Sequence, residues 1–247
     1  MVAFNKGHLA SVRPNSRNLP SQFCLLPARF SFSCFMRIAG FTFNAFSENT
    51  YLLIDEATRQ CAIVDPGCYD RAEQQALREY IAAENLQVVL LLNTHAHIDH
   101  VLGNQFVLDT YKVPYLLHEA DLPVLRAVPT YAANYGFPAY SPAEPTGTLT
   151  PGEAVHIGET ELEVRFAPGH APGHVVFYHV LTHTVIGGDV LFKGSIGRTD
   201  LPGGNHATLL SSIRTQLLPL PDETVVYPGH GPATTIGEER RTNPFLQ

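Results

Sequence analysis

The sequence lacks any run of roughly 18 or more apolar residues, the length of a membrane-spanning helix, and it lacks a CxxC pair. Its four cysteines, at positions 24, 34, 61 and 68, therefore do not have the spacing of a zinc ribbon or a dense disulfide framework. Basic residues are also scarce, with 16 Lys and Arg against 23 Asp and Glu and a net charge of −7. Because such a chain has no broad basic field, we expect a small-molecule substrate and neither a nucleic-acid nor a membrane partner. The oligomeric state stays open.

Acidic residues are missing altogether from residues 1–35, which contain four basic residues. This composition is typical of an organelle transit peptide. The alternative, which we favour, is an upstream extension before a start at Met36, disordered or outside the mature domain. The segment has no compact apolar stretch followed by a cleavage site, which argues against secretion. We therefore expect a cytoplasmic protein and leave organelle targeting open.

From Met36 onward, short β-rich runs alternate with helical stretches, a pattern that predicts an α/β fold. At this length one large domain is the natural prediction, and two small domains are the alternative. The Pro-rich residues 137–152 are predicted to form a surface loop able to cover a site. The predicted strands are 38–43, 51–54, 61–64, 88–92, 113–117, 162–166, 175–180, 184–187 and 224–227, and the predicted helices are 70–84, 120–133 and 207–217.

A dense group of metal-binding residue types follows the predicted strand 88–92. His95, His97, Asp99 and His100 lie within six positions, in a run with the pattern HxHxDH. Zinc and iron accept imidazole nitrogens and carboxylate oxygens at roughly 2.0 to 2.2 Å, so their ligands must converge tightly. A turn at the edge of a sheet allows this convergence, whereas a straight strand does not. The motif therefore predicts a metal site.

Three later residues follow predicted strands in the same way, each beside a glycine. They are His170, Asp189 and His230. If all three reach the same rim as the HxHxDH turn, seven donors are available, more than one tetrahedral metal can use. We therefore expect two divalent metal ions, with Zn as the expected metal and Fe or Mn as alternatives.

The ordered motif resembles the metallo-β-lactamase superfamily, and in particular its short bacterial glyoxalase II-like (hydroxyacylglutathione hydrolase-like) members. Residues 188–192, 194–200 and 242–246 resemble the same branch. The resemblance extends over residues 36–247 and implies one hydrolase domain, an αββα sandwich of two mixed sheets flanked by helices. It implies that one metal is bound by His95, His97 and His170, that the second is bound by Asp99, His100 and His230, and that Asp189 bridges them.

The remaining histidines are expected to have other roles. His174 lies four residues after His170, but Pro172 and Gly173 disfavour a helix there, so this spacing does not place the two on a shared helix face. Because the family motif matches His170, we predict that His174 supports a metal ligand or has a structural role. His118, His156, His179, His183 and His206 are isolated, and we predict structural or solvent roles for them.

The predicted function is metal-dependent hydrolysis of a thioester such as S-D-lactoylglutathione, with a bridging hydroxide as nucleophile. Asp99 is the predicted catalytic residue, which orients the water as well as binding metal. A thiolate leaves readily because a thiol pKa is about 8.5, so no dedicated acid is required. Lys193, Arg198 and Tyr227 are candidate contacts for a substrate carboxylate, since each lies close in sequence to a predicted ligand.

Three other functions fit parts of the pattern. A mononuclear iron persulfide dioxygenase shares the HxHxDH frame, and oxygen consumption would distinguish it. A binding module without metals is disfavoured by the complete set of ligands. β-Lactam hydrolysis is disfavoured because no secretory signal is found and the most similar motifs point to the thioester hydrolases.

Overall fold

The computed structural model describes residues 36–247, and the predicted extension over residues 1–35 lies outside the described residues. A first six-stranded sheet has its strands side by side in chain order. Its first three strands run antiparallel and its last four are joined by parallel pairing, so the sheet is mixed. The strands are β1 (Met36–Phe43), β2 (Glu48–Asp55), β3 (Gln60–Val64), β4 (Gln87–Leu92), β5 (Tyr115–Leu117) and β6 (Gly147–Thr148).

The second half of the chain builds another six-stranded sheet and a small hairpin. The strands are β7 (Ala154–Ile157), β8 (Thr160–Phe166), β9 (Val175–His179), β10 (Thr184–Gly188), β11 (Leu191–Phe192), β12 (Ser195–Ile196), β13 (Val225–Pro228) and β14 (Thr234–Thr235). The spatial order in the sheet is β14, β13, β10, β9, β8 and β7, and β11 pairs with β12. Only β10 and β13 are parallel in this sheet, so it too is mixed.

Helices lie against the outer face of each sheet. They are α1 (Arg71–Ala83), α2 (Ile98–Val101), α3 (Asn104–Tyr111), α4 (Leu122–Tyr131), α5 (His206–Ser212) and α6 (Ile236–Thr242). Short 3₁₀ turns cover Glu119–Asp121 and Ala132–Tyr135, and a π-helical turn covers Ile213–Leu217. None of the helices within residues 36–247 combines the length and the apolar character needed to cross a membrane.

Side-chain alternation in the strands explains why the layers stack. In β2, Leu53 packs into the core between the two sheets, whereas Leu52 and Ile54 pack against the helices. Every residue of β2 is buried because both of its faces are covered. A third cluster, which includes Val185 and Leu209, joins the second sheet to its own helices. The four layers confirm the predicted αββα architecture.

The structure differs from the prediction in several local elements. The predicted helix 120–133 is divided into α4 and two 3₁₀ turns, and Pro123 and Pro129, which lack an N–H, lie within it. The predicted loop 137–152 contains the buried Phe137 and Ala143 and the edge strand β6. Strand β7, whose four residues include only two buried apolar ones, was not predicted, and neither were the short helices α3 and α6.

One buried carboxylate connects the two sheets. Asp55 accepts hydrogen bonds from the backbone N–H of Thr58 (2.8 Å) in the turn after β2 and from that of Glu159 (2.7 Å), between β7 and β8. The hydroxyl of Thr160 donates a third bond (3.1 Å). Burial by itself raises the pKa of Asp55, but these hydrogen bonds outweigh burial and lower it. Folding therefore favours the ionised carboxylate.

We expect Asp55→Ala to lower the free energy of unfolding by about 2 kcal/mol at pH 7, because three hydrogen bonds to a buried carboxylate are lost. Since the folded pKa is depressed, this stabilisation is present above the unfolded pKa of about 3.9 and is lost as the pH falls through the folded value. The difference between wild type and variant should therefore shrink below about pH 4. Urea unfolding at pH 7 and pH 3 measures it. Asp109→Ala, at a site 67% exposed, is the control, and an equal loss there would contradict the explanation.

Candidate metal centre

A single buried carboxylate holds the turn that follows β4. Asp65 comes directly after β3, and since β3 and β4 are parallel their carboxyl ends meet at the same edge of the sheet. Asp65 accepts hydrogen bonds from the backbone N–H (2.7 Å) and the hydroxyl (2.6 Å) of Thr94 and from the side chain of Asn93 (3.1 Å). These bonds fix the point at which His95 and His97 leave the sheet.

The other predicted donors reach the same edge from separate elements. Helix α2 carries Asp99 and His100, and His170 comes from the loop between β8 and β9. Asp189 and His230 follow the parallel pair β10 and β13, which places them next to each other. All seven predicted donors are therefore delivered to one region, although they come from five segments of the chain.

Gly188 makes this convergence possible. Its φ of +47° lies in the left-handed region that favours glycine. A Cβ at this position would lie 2.4 Å from the hydroxyl of Thr94 and 2.7 Å from Nε2 of His174. Any larger residue would push Asp189 away from the turn after β4.

The first donor group consists of His95, His97 and His170. One nitrogen from each lies within 4.8 Å of those of the other two. Nδ1 of His97 and Nε2 of His170 are 2.8 Å apart. Burial, followed by the neighbouring His170, lowers the pKa of His97 to about 3, so the imidazole is neutral with a lone pair available.

The second donor group consists of Asp99, His100 and His230, again with donor atoms within 4.8 Å of one another. Oδ2 of Asp99 is 3.1 Å from Nε2 of His230 and 3.7 Å from Nε2 of His100. Asp189 lies between the groups. Its oxygens are 3.5 Å from Nε2 of His100, 3.5 Å from Nε2 of His170 and 3.6 Å from Nε2 of His230.

In four of the five donor histidines, Nδ1 is already engaged by a group outside the two donor groups. Nδ1 of His170 contacts the carbonyl of Arg198 (2.8 Å), and Nδ1 of His230 contacts that of Phe46 (3.1 Å). Nδ1 of His100 contacts Asp65 (3.2 Å), and Nδ1 of His95 contacts the hydroxyl of Thr94 (3.0 Å). Such partners orient an imidazole so that its other nitrogen faces a metal.

Several inward-facing atoms have no hydrogen-bond partner among the described residues. They include Nε2 of His95, Nε2 of His100 and Oδ1 of Asp189, all of them buried. A buried polar atom left without a partner costs about 1–3 kcal/mol, so a cluster of them calls for a binding group. Imidazole and carboxylate donors suit a divalent transition metal. The donor set therefore fits the metals that the sequence predicts.

Asp65 forms a further group of donor residues with His95 and His100. Both of its oxygens already accept hydrogen bonds from Asn93, Thr94 or His100. Its position therefore suits the support of the turn and of His100 rather than metal binding.

The sequence matches the Metallo-beta-lactamase superfamily over residues 44–230, from the turn before β2 to the last predicted donor. The chain belongs to this superfamily. The probable metallo-hydrolase YqgX of Bacillus subtilis is 40% identical to it over 199 residues, 80% of this chain and 92% of the relative. The hydroxyacylglutathione hydrolase GloC of Haemophilus influenzae is 38% identical over 213 residues, 85% of this chain and 98% of the relative.

Solved structures of this superfamily share the fold. The B3 metallo-β-lactamase BLEG-1 superposes with a TM-score of 0.78 at 37% identity, over 85% of this chain and all of that one. The protein TTHA1623 in a di-iron-bound form has a TM-score of 0.75 at 38% identity, over 84% of this chain and all of that one. The donor groups of this chain and the di-iron-bound form of that relative together support a divalent metal centre.

Within this superfamily fold, two residues outside the predicted site support the donors. Asp121 accepts hydrogen bonds from the N–H of Ala96 (2.8 Å) and the N–H of Gly173 (2.5 Å), so it ties the His95 turn to the His170 loop. It lies inside the predicted helix 120–133, where nothing in the pattern marks it. The sequence does mark Asp65. It follows a predicted strand and lies close to a glycine, as the predicted donor Asp189 does.

His174 lies beside the donors and makes a different contact. Its Nε2 accepts a hydrogen bond from the N–H of Asp189 (3.0 Å). Its ring stacks on that of His95, with the ring centroids 4.6 Å apart. It therefore positions Asp189 and His95, and it is His170 that lies in the first donor group.

The three candidate substrate contacts are separated in the structure. Arg198 lines a cavity of about 1060 Å³ that opens onto the donor groups. Tyr227 packs between the sheets with its ring 5.7 Å from that of Tyr51, and Lys193 is exposed. Among the described residues, neither Tyr227 nor Lys193 lines this cavity, and their contact with a substrate carboxylate stays a prediction. Successive strand residues face opposite ways, so Tyr227 faces the core although it is close in sequence to His230.

Proposed function

We propose that this chain is a hydrolase of acyl thioesters that uses two divalent cations. The observation that carries the proposal is the pair of donor groups, with Asp189 between them. Its carboxylate oxygens lie within 3.6 Å of a histidine nitrogen in each group. His95, His97 and His170 would hold one cation, Asp99, His100 and His230 the other, and Asp189 would contact both. The names of the relatives, a probable metallo-hydrolase and a hydroxyacylglutathione hydrolase, support hydrolysis.

When bound, such cations lower the pKa of a water molecule toward about 7 and polarise a carbonyl oxygen. The residues of this chain orient the water and hold the donors in place. The carboxylate of Asp99 faces the cavity and lies 3.1 Å from Nε2 of His230, a position from which it orients an attacking water. Asp65, Asp121 and His174 keep the donors in place through their hydrogen bonds.

A thioester suits the cavity because the site offers little help to a poor leaving group. Tyr131 lines the cavity, and burial raises its pKa to about 12, so it is a weak acid at neutral pH. An amide nitrogen must be protonated as it leaves, whereas a thiolate with a pKa of about 8.5 leaves without an acid. A thioester therefore demands less of the site than an amide does.

The test is to measure metal content and the hydrolysis of S-D-lactoylglutathione and other thioesters on one preparation. We expect about two metal ions per chain. Removing them with a chelator should lower kcat/KM by at least about a hundredfold, and adding Zn²⁺, Fe²⁺ or Mn²⁺ should restore it. A metal-loaded protein that hydrolyses no thioester, or an apo protein that retains full activity, would overturn the proposal.

A mononuclear iron persulfide dioxygenase is the second candidate, because His95, His97 and His170 form a complete donor group by themselves. It would consume oxygen with glutathione persulfide and would bind one iron. The donor groups are compatible with both candidates, and the resemblance of residues 194–200 and 242–246 to the short hydrolases favours the hydrolase. Oxygen uptake by the iron-loaded protein, in the absence of thioester turnover, would reverse this choice.

A further inference from the structure

We infer that the substrate is a thioester with an apolar acyl group of medium length on a thiol that carries few charges, rather than a glutathione thioester. This inference rests on the proposed function. Its basis is the cavity beside the donor groups, whose walls are apolar and whose single guanidinium is already paired.

One wall of the cavity is a face of helix α4. Val124, Ala127 and Tyr131 line the cavity at spacings of three and four residues, so they share one side of the helix. Phe192 and Ile196 of the β11–β12 hairpin also line it. These side chains offer an acyl group contacts with carbon atoms only, apart from the hydroxyl of Tyr131.

The mouth of the cavity carries two exposed aromatic rings. Phe46 is 42% exposed and Tyr135 is 52% exposed, and their ring centroids are 6.3 Å apart. Large apolar side chains exposed next to one another on a folded chain commonly mark a binding surface. Their position beside the donor groups indicates that an apolar ligand covers them.

The charges around the cavity do not suit glutathione, which carries two carboxylates and an ammonium group. Among the described residues that line the cavity, Arg198 is the only Lys or Arg. Its guanidinium already makes two bonds to Asp200, at 2.7 and 2.8 Å. Lys193 is exposed and outside the lining. A ligand with two carboxylates would therefore find no unpaired lysine or arginine on these walls.

The volume of about 1060 Å³ leaves room for more than a lactoyl group. Small-molecule sites commonly enclose about 300–1000 Å³, and burial of each methylene group strengthens binding severalfold. A six-carbon or aromatic acyl group fills more of this volume than a three-carbon hydroxyacyl group does.

The experiment compares acyl groups on one neutral thiol, N-acetylcysteamine, with the metal-loaded protein. We expect kcat/KM to rise about tenfold from the butyryl to the hexanoyl thioester, because two methylene groups are added, and to be lower for lactoyl. The same acyl groups on glutathione should give values no higher than those on N-acetylcysteamine. A preference for the lactoyl or the glutathione ester would overturn the inference and leave thioester hydrolysis standing, whereas no turnover of any thioester would overturn the proposed function.

A pair of variants tests the location. Ala127→Phe fills the cavity beside α4 and should lower the hexanoyl-to-acetyl ratio of kcat/KM by about tenfold. Ala133→Phe, at an exposed position after α4 that does not line the cavity, is the matched control and should leave the ratio unchanged. An unchanged ratio in Ala127→Phe would contradict the assignment of this wall to the acyl group.

A binding measurement separates recognition from turnover. The thioether S-hexyl-N-acetylcysteamine is not hydrolysed, and calorimetric titration should show that it binds the metal-loaded protein at least as tightly as S-hexylglutathione. Ala127→Phe should weaken binding of the neutral thioether about tenfold. Tighter binding of S-hexylglutathione would contradict the inference.

Discussion

His97→Ala is expected to lower kcat/KM for thioester hydrolysis by at least about a hundredfold. Removal of a metal donor should reduce activity more than removal of a residue that only supports a donor. Nδ1 of His97 lies 2.8 Å from Nε2 of His170, inside the first donor group. The variant should also bind one metal ion less tightly, as shown by competition with a chelator. Full activity in this variant would contradict the metal-dependent mechanism.

The control for this prediction is His156→Ala. His156 is an exposed residue of β7 and lies outside both donor groups. Its replacement should leave activity and metal content within twofold of the wild type. Because the side chain of His97 is itself partly exposed, the unfolding midpoint of the metal-free His97→Ala protein should stay close to that of the metal-free wild type. A large drop would mean that the activity loss reflects unfolding.

Asp65→Ala is expected to lower the free energy of unfolding by about 3–5 kcal/mol, the usual cost of breaking a buried charged pair. Asp65 is 2% exposed and accepts hydrogen bonds from Asn93, Thr94 and His100. Removal of the carboxylate leaves these donors buried without an acceptor. Equilibrium unfolding in urea on metal-free protein measures this loss without any contribution from bound metal.

The same variant should bind metal about ten- to a hundredfold more weakly, because His100 loses the group that orients it. Asp109→Ala, on the exposed side of α3, should change neither quantity measurably. Asp65→Asn separates the loss of stability from the weaker metal binding, because the amide keeps the shape of the side chain and part of its hydrogen bonding. Stability of Asp65→Ala within 1 kcal/mol of the wild type would contradict the role assigned to this carboxylate.

The order of the donors was readable from the sequence because each one follows an apolar strand. His95 and His97 come directly after β4, and Asp189 and His230 come after a pair of parallel strands. Strands buried on both faces are nearly continuous apolar runs, so their ends are sharply marked in the sequence. The αββα architecture followed from the resemblance that this ordered set carries.

Short elements and long-range contacts were not readable in the same way. Two of the contacts that hold the donors, Asp65 with Thr94 and Asp121 with Ala96, join residues 29 and 25 positions apart. An acidic residue inside a helical pattern, as Asp121 is, looks the same in the sequence whether it supports a metal ligand or faces solvent. Closeness in sequence to His230 likewise does not reveal which face of β13 Tyr227 occupies, and its ring lies 5.7 Å from that of Tyr51.

The sequence alone determined the fold class and the chemical type of the site, because hydrophobic alternation and the spacing of histidines are local properties of the chain. The tertiary structure decided which donors form each group, which carboxylates hold them and what lines the cavity. The face of α4 shows why. Val124, Ala127 and Tyr131 have the spacing of any core-facing helix, and only the tertiary structure, which brings the β11–β12 hairpin and the donor loops to the same cavity, shows that this face also borders a ligand site.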